Sequence, residues 1–210
     1  MQILFITSSR VGDAILTTGI LKYLTDRYQM AKFTIACGPV AKGLFDNVPG
    51  LEEVITMRKD SFLGHWRRLY FSTLSKRWDL VVDLRGSAIA LFLPTKKRLI
   101  YKKKNKEIHR IEDMQSIFKS NTPYPPHIWL GKGNKKFAHN ILGDRKGQPL
   151  IVIGPTANWS AKIWEAKNFS KLIQLLTKNF SSLESAMIAV VGGPGEESIA
   201  KPILDEIPPA

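Results

Sequence analysis

The stretch QILFITSSRVGDAILTTGILKYL, residues 2–24, decides the fold class of this 210-residue chain. Its apolar run 2–7 ends at two serines and an arginine, which is typical of a buried β-strand. Gly12 and Asp13 then open a segment in which apolar residues recur with helical spacing. A strand that leads through a short polar loop into a helix is the first half of a βαβ unit. The stretch therefore predicts an α/β fold.

The same alternation of strand and helix continues along the first 130 residues. Apolar runs closed by Gly, Pro or charged residues predict further strands at 32–37, 53–57, 79–84 and 98–101. Helical patterns lie between them, at 40–45, 66–76 and 88–93. Because strands that alternate with helices form a parallel sheet covered on both faces, residues 1–130 are expected to form a complete Rossmann-like domain.

A glycine- and lysine-rich segment, 131–147, interrupts the alternation and is interpreted as a linker. The pattern then resumes with two apolar runs and two helical patterns, at 149–154, 186–191, 168–180 and 196–204. Two strands are too few for a complete doubly wound sheet. Residues 148–210 are therefore expected to form part of a second Rossmann-like domain.

The composition is that of an ordinary globular protein, with 44% hydrophobic and 23% charged residues. The single cysteine, Cys37, excludes a disulfide framework and any multi-cysteine metal site. The four histidines lack the spacing of metal ligands, so no metal is expected. The N-terminus has no signal-peptide features, and no apolar run approaches the roughly 20 residues of a membrane-spanning helix. These features favour the cytoplasm.

Positive charge is concentrated in the first part of the chain. The formal net charge is +13, and residues 1–147 hold 26 basic against 12 acidic residues. The densest run, Lys96–Arg110, contains eight Lys or Arg and one Glu. Such a run either attracts phosphate groups, on a substrate or on anionic lipid, or forms a solvated surface. Only Tyr101 is interleaved with the basic residues, which disfavours nucleic-acid binding.

Ligands of open parallel sheets bind beyond the carboxyl ends of the strands, and the first such end is Ser8–Asp13. Gly12 allows the backbone to come close to a ligand. Asp13 falls in the first turn of the following helix, where free N–H groups and the helix dipole favour a carboxylate. This residue either caps the helix or acts as a general base. A single carboxylate suits a reaction whose leaving group is already good, such as a nucleoside diphosphate.

The loop after the first strand of the second part, 154–164, is suited to a phosphate group. Backbone N–H groups, the hydroxyls of Thr156 and Ser160 and the ammonium of Lys162 could all contact phosphate oxygens. The Gly-x4-Gly-Lys-Ser/Thr spacing of a P-loop is absent. The segment is therefore either a different kind of phosphate site or an exposed loop.

The turn 192–195 is rich in glycine and leads into Glu196 and Glu197. Either carboxylate could accept hydrogen bonds from the ribose hydroxyls of a nucleotide. The turn otherwise serves only as a tight connection from strand to helix. It lacks the full Gly-x-Gly-x-x-Gly fingerprint, which disfavours a nicotinamide-dependent oxidoreductase.

Four blocks of sequence, taken in order, resemble glycosyltransferase family 9, the ADP-heptose:lipopolysaccharide heptosyltransferases. The blocks lie at 6–18, 79–87, 153–169 and 190–197. The third begins IGPTANWSAKIW, and the fourth reads VVGGPGEE. Their order and separation match the family over the whole chain, so the set is specific where each block alone is not.

The resemblance implies a GT-B-type fold, in which two Rossmann-like domains face each other across a cleft. It also implies that Asp13 is the general base of an inverting transfer of heptose from ADP-heptose to a lipopolysaccharide core acceptor. The donor is then bound by residues of the second domain, namely Thr156, Ser160, Lys162, Glu196 and Glu197. This scheme needs no cofactor and no divalent metal, because positive groups and helix N-termini stabilise the charge on the leaving diphosphate.

The acceptor side of the implied scheme is the basic first domain. Its acceptor- or phosphate-binding residues are expected to be Ser9, Arg10, Gly12, Arg85, Lys102, Lys103, Lys104, His109 and Arg110. The expected partners are a lipid-linked oligosaccharide and an anionic membrane, which place the protein at the cytoplasmic face of the inner membrane. The alternative function is that of a non-catalytic module that binds anionic lipid or lipopolysaccharide through Lys96–Arg110.

The resemblance also implies a longer chain. Members of the family extend further and contain a later Asp-Thr/Ser-Gly…His motif that completes the donor site. The present sequence ends before that motif, so a transferase truncated at its C-terminus, with an incomplete donor pocket, is expected. Misplacement of a substrate can lower a rate by about 100-fold, and such a chain is expected to have little activity alone.

Overall fold

The computed structural model of the chain describes residues 1–58, 64–102, 107–118, 124–157 and 159–207. These residues form two compact units, Met1–Lys135 and Lys136–Ala210. Each unit has its own parallel sheet and its own buried core. Each therefore has the anatomy of a separate domain.

The first unit is built on a five-stranded sheet. Its strands are β1 (Gln2–Ile6), β2 (Lys32–Cys37), β3 (Leu51–Thr56), β4 (Trp78–Asp83) and β5 (Thr95–Ile100). All pairs are parallel, and the strand order is β3-β2-β1-β4-β5. The order of the strands reverses between β1 and β4, and the strand ends at such a point frame a ligand crevice.

Helices cover both faces of this sheet. The helix α1 (Val11–Arg27) packs on the face that presents Ile3 and Phe5. The helices α2 (Gly64–Leu74) and α3 (Ile89–Phe92) pack on the face that presents Leu4 and Ile6. Because successive side chains of a strand point to opposite faces, the unbroken apolar run of β1 is buried on both sides.

Three elements differ from the sequence-based expectations. A short 3₁₀ segment, Pro39–Leu44, replaces the helix expected at 40–45. The helix α4 (Arg110–Gln115) was not predicted. The helix α5 (Lys132–Leu142) lies in the segment interpreted as a linker. Two of the glycines that suggested a linker, Gly131 and Gly133, lie at the start of α5, where they interrupt few helical hydrogen bonds. The other two, Gly143 and Gly147, follow its end, and no residue of α5 is buried.

The second unit contains two parallel strands, β6 (Leu150–Ile153) and β7 (Met187–Val190). The helices α6 (Ala166–Asn179) and α7 (Glu197–Glu206) pack on one face of this small sheet. Its core is centred on Ile153, Ile173 and Ile203. Within the described ranges of both units, no helix combines the length and the hydropathy needed to cross a bilayer.

Candidate functional site

The loop after β1 leads directly into α1 and carries the first predicted site. The hydroxyl of Ser8 accepts a hydrogen bond from the backbone N–H of Arg10 at 3.2 Å. The backbone N–H of Gly38 donates to the carbonyl of Ser8, also at 3.2 Å. A Cβ on Gly38 would lie only 2.3 Å from the carbonyl oxygen of Ser9. The loop is therefore packed tightly against the end of β2, which fixes where α1 begins.

Asp13 is the third residue of α1, and it is exposed. Among the described residues, none donates a hydrogen bond or forms an ion pair with its carboxylate. The helix begins after Arg10 without a side-chain cap, so Asp13 does not cap it by hydrogen bonding. The space beside Gly12 is open, since a Cβ there would meet nothing within 4 Å. Asp13 is thus available to a ligand, which is the geometry that a general base needs.

A second aspartate ends the neighbouring strand β4, and its environment is different. Asp83 is fully buried. One of its oxygens accepts from the N–H groups of Arg85 and Gly86 at 2.9 and 3.1 Å. The other accepts from the N–H and the hydroxyl of Ser87 at 2.7 and 2.6 Å. Burial raises the pKa of Asp83, whereas these hydrogen bonds act to lower it. Its carboxylate therefore stabilises the turn after β4.

The same turn positions the predicted residue Arg85. Its guanidinium lies 4.7 Å from the ring centroid of Trp66 in α2, a cation–π contact. Gly86 has a φ of +67°, and a Cβ on it would lie 2.7 Å from the carbonyl oxygen of Tyr101, so only glycine fits there. The sequence analysis did not identify Asp83 or Trp66 as partners of this turn. The sequence does contain a pattern that could have indicated this turn, because an aspartate followed closely by glycine and serine is typical of a turn that the carboxylate stabilises.

The sheet register brings predicted acceptor residues of three loops to one edge. The N–H of Leu84 donates to the carbonyl of Ile6 at 2.9 Å, and the N–H of Tyr101 donates to the carbonyl of Asp83 at 2.8 Å. The ends of β1, β4 and β5 are therefore adjacent. The predicted residues that follow these three ends are Ser9, Arg10, Gly12, Arg85 and Lys102.

His109 and Arg110 mark the start of α4. The Nδ1 of His109 accepts from the N–H of Ile111 at 3.3 Å and so caps the helix. The guanidinium of Arg110 lies 5.3 Å from the ring centroid of Tyr101, whose hydroxyl donates to the buried carboxylate of Asp113. Burial, together with that hydrogen bond, raises the pKa of Tyr101 to about 12. Both predicted residues therefore help to seat α4 against the end of β5.

The basic run Lys96–Arg110 is divided by the fold. Its first residues belong to the edge strand β5, whereas Lys102 follows the carboxyl end of that strand. At about 3.3 Å per residue, the backbone at Lys96 is roughly 17 Å from that at Tyr101. Lys103 and Lys104 lie outside the described residues. Because a strand carries its two termini to opposite ends of a sheet, Lys96 and Lys102 lie at opposite ends of β5.

Two basic side chains of β5 already have partners within the first unit. Lys96 forms an ion pair with Asp79 at 2.6 Å. Arg98 donates through Nε to the carbonyl of Ala90 at 2.8 Å, and through its terminal nitrogen to that of Leu93 at 2.7 Å. These contacts tie the edge strand to β4 and α3, so both side chains stabilise the fold.

In the second unit, the loops after β6 and β7 meet at Glu196. Its carboxylate is hydrogen-bonded to the hydroxyl of Thr156 and accepts from the N–H of Gly193 at 2.6 Å. These two hydrogen bonds, that of Thr156 first, lower the pKa of Glu196. The N–H of Gly195 donates to Glu197 at 3.2 Å. The fold therefore brings together three of the predicted donor residues, which the sequence placed on separate loops.

An open cavity of about 580 Å³ lies beside this loop, within the size range of small-molecule sites. Its mostly apolar walls include the polar residues Glu196, Glu197, Ser198 and Lys201. Another cavity, of about 400 Å³, lies at the amino end of β7. Since ligands of parallel sheets bind at the carboxyl ends of the strands, the first cavity is the better candidate for a nucleotide.

Ser160 and Lys162 lie on a short 3₁₀ turn, and both are exposed. The ammonium of Lys162 lies 5.8 Å from the ring centroid of Trp159, which the sequence analysis did not single out. No described acidic residue pairs with Lys162. Its charge is therefore available to an anion. Within the parts of the chain that the structure describes, no cluster of three or more His, Cys, Asp or Glu residues could hold a metal ion.

Comparison with known proteins places the chain in a family. The model of glycosyltransferase family 9 (heptosyltransferase) matches residues 83–208, which is more than half of the sequence. The chain belongs to this family. The part of this family 9 glycosyltransferase that the family model matches begins at Asp83, so the loop that carries Asp13 lies outside the matched residues. No curated protein matches the sequence.

Solved structures of family 9 glycosyltransferases share the fold. A glycosyl transferase family 9 protein from Veillonella parvula DSM 2008 has a TM-score of 0.76 at 15% identity, over 98% of this chain and 67% of that one. E. coli ADP-heptose lps heptosyltransferase II has a TM-score of 0.66 at 20% identity, over 99% and 69%. E. coli heptosyltransferase WaaC with ADP-2-deoxy-2-fluoro heptose has a TM-score of 0.67 at 18% identity, over 98% and 73%. The predicted GT-B-type fold, with an incomplete second Rossmann-like domain, is confirmed.

Proposed function

We propose that this chain transfers heptose from ADP-heptose to a lipid-linked lipopolysaccharide core acceptor, with inversion at the reacting carbon of the sugar. The observation that carries the proposal is the carboxylate of Asp13. It is exposed at the N-terminus of α1, beside the point between β1 and β4 where the strand order reverses. No described residue forms a hydrogen bond or an ion pair with it. Family membership, together with the ADP-sugar bound to WaaC, supports the choice of donor.

In the proposed reaction, the acceptor hydroxyl attacks the sugar carbon that bears the diphosphate. A new carbon–oxygen bond forms, the bond to the diphosphate oxygen breaks, and ADP leaves with that electron pair. Asp13 takes the proton of the acceptor hydroxyl as the nucleophile develops negative charge. Because ADP is already a good leaving group, the scheme needs no second carboxylic acid to protonate it.

The second unit supplies the proposed donor site. Lys162, together with the hydroxyl of Ser160, contacts the diphosphate and stabilises the charge that develops on it. Thr156 contributes to the donor site through its hydrogen bond to Glu196. Glu196 and Glu197 accept hydrogen bonds from the ribose hydroxyls. The hydrogen bond from Thr156 and that from Gly193 hold Glu196 in one orientation, and a fixed acceptor loses less conformational entropy when the nucleoside binds.

The first unit supplies the proposed acceptor site. Arg10, Arg85 and Lys102 follow adjacent strand ends and provide positive charge for a phosphorylated acceptor. Arg85 is additionally restrained by its contact with Trp66. Such an acceptor is embedded in a membrane, so we place the protein at the cytoplasmic face of the inner membrane.

The proposal is tested by incubating the full chain with ADP-heptose and heptose-deficient lipopolysaccharide. Because the chain spans about 70% of the length of the solved relatives, we expect slow release of ADP that requires the acceptor, and a gain of one heptose in the mass of the acceptor. ADP-hexoses in place of ADP-heptose measure the selectivity for the sugar. Reactions without acceptor serve as the control for hydrolysis of the donor.

If ADP release does not exceed the control at saturating donor and acceptor, transfer by this chain is contradicted. Binding of lipopolysaccharide that persists under those conditions would favour the non-catalytic alternative.

A further inference from the structure

The helices α2 and α3 present apolar side chains to solvent as well as to the core. Phe71 is 66% exposed, Leu91 is 59% exposed and Phe92 is 68% exposed. The same two helices bury Leu69 and Ala90 completely against the sheet. The core buries only the inner side chains of the two helices. Exposed apolar side chains on one side of a protein commonly mark a surface that binds a partner.

Arginines flank these apolar side chains. Arg67 and Arg68 are exposed and lie four and three residues before Phe71, so they occupy the same face of α2. Neither segment that builds this surface, 64–78 or 84–102, contains an Asp or a Glu. The surface is therefore positive as well as apolar, which is the composition that anionic lipid attracts.

The two helices cover the same side of the sheet. Both contribute to the core on the face of the sheet that presents Leu4 and Ile6. Arg85, in the turn before α3, lies 4.7 Å from the ring of Trp66 in α2. Because Arg85 follows the carboxyl end of β4, this contact also places the start of α2 at the edge of the sheet that carries Asp13.

We infer that the outward side of α2 and α3, which presents Arg67, Phe71, Leu91 and Phe92, docks the protein on an anionic lipid bilayer. The aromatic and leucine side chains enter the interfacial layer, and Arg67 contacts lipid phosphates. The surface differs from Lys96–Arg110, whose strand residues Lys96 and Arg98 have partners within the fold. The inference deepens the proposed function, on which it rests for the membrane-bound acceptor.

Vesicle co-sedimentation of the full chain tests the inference without any sugar donor. The vesicles contain phosphatidylcholine alone or phosphatidylcholine with phosphatidylglycerol. We expect binding only to the anionic vesicles, weakening as salt screens the charges. Phe71→Ser combined with Phe92→Ser should weaken binding about tenfold. Arg67→Gln should weaken it about fivefold, since each basic residue near an anionic surface contributes about that factor.

Matched control variants show whether the effect belongs to this face. Met30, which is 88% exposed, precedes β2 at the opposite edge of the sheet, and Lys97 is an exposed residue of β5. Met30→Ser and Lys97→Gln should leave vesicle binding within about twofold of the unchanged chain, because neither residue lies on the docking face. Circular dichroism of every variant confirms that it is folded.

Three results would overturn the inference. The first is no binding of the unchanged chain to anionic vesicles. The second is unchanged binding of the Phe71 and Phe92 double variant, which would leave this face to a protein partner. The third is an equal loss in the control variants. ADP release measured with a detergent-dispersed acceptor separates this inference from the proposed function, because docking variants should retain transfer there.

Discussion

Asp13 and Asp83 follow adjacent strands of one sheet, yet only one of them is available to a ligand. Ile6, the last residue of β1, pairs with Asp83 at the end of β4. Asp83 is buried and accepts four hydrogen bonds from the turn that follows it. Asp13 is exposed, and no described residue bonds to its carboxylate.

The difference arises from the connections after the two strands. After β4, Gly86 lets the chain turn back over Asp83, so that three consecutive N–H groups point at its carboxylate. After β1, the loop is held against Gly38 and continues into a helix of 17 residues. A carboxylate at the ligand-binding end of a sheet can therefore act on a ligand only where the N–H groups of the following turn do not donate hydrogen bonds to it.

The largest expected effect is that of Asp13→Asn on transfer. The substitution keeps the shape of the side chain but removes the proton acceptor, so kcat should fall by about 100- to 10,000-fold. The KM for ADP-heptose should change little, because Asp13 does not contact the donor in the proposed scheme. Steady-state ADP release gives both quantities, and a kcat close to that of the unchanged chain would remove Asp13 from the mechanism.

The next largest effect is that of Asp83→Ala on stability. The substitution leaves the buried N–H groups of Arg85, Gly86 and Ser87 without an acceptor, and we expect a loss of about 2–4 kcal/mol in the free energy of unfolding. Urea unfolding followed by circular dichroism measures it. Asp26→Ala is the matched control, because within the described part of the chain the exposed Asp26 pairs only with Lys22 on α1. Its loss should cost less than about 1 kcal/mol. Equal losses in the two variants would contradict the structural role of Asp83.

Lys162→Ala extends the comparison to the second unit, where the exposed Lys162 again has no oppositely charged partner among the described residues. We expect kcat/KM for ADP-heptose to fall by about 10- to 100-fold, because the diphosphate loses a charged hydrogen-bond donor. Lys162→Arg should recover part of the loss, since it restores the charge. An alanine variant as active as the unchanged chain would show that the lysine does not contact the donor.

The smallest expected effect is that of Thr156→Val. The variant removes the hydroxyl that bonds to Glu196, so affinity for ADP should fall by about two- to tenfold while the fold is retained. Thr177→Val is the control, because the Thr177 hydroxyl donates to backbone carbonyls within α6. Calorimetric titration with ADP compares the two variants. Equal affinities would mean that the orientation of Glu196 does not matter for the nucleoside.

Much of the fold could be predicted because it depends on local patterns. The apolar runs of the five strands of the first unit are short, bounded by turn residues and separated by helical spacing, and the strand 32–37 has the predicted bounds. The short helix α4 could not be predicted, because its position depends on side-chain contacts with the end of β5 rather than on a helical pattern of its own. Arg110 lies against the ring of Tyr101, and Asp113 accepts a hydrogen bond from the hydroxyl of Tyr101.

The candidate site could be predicted less completely. Asp13 and Lys162 could be located because each follows a predicted strand. The link from Thr156 to Glu196 joins loops 40 residues apart, and no local pattern encodes it. The run Lys96–Arg110 shows the limit of a local pattern, since the sequence does not reveal that Lys96 and Arg98 have partners within the fold.

The most direct test measures transfer and stability together on Asp13→Asn and Asp83→Asn. ADP release and urea unfolding are recorded on the same preparations, with the unchanged chain beside them. We predict that Asp13→Asn loses transfer and keeps its free energy of unfolding, whereas Asp83→Asn loses stability. An Asp13→Asn protein that unfolds more easily and still releases ADP at the normal rate would contradict this prediction.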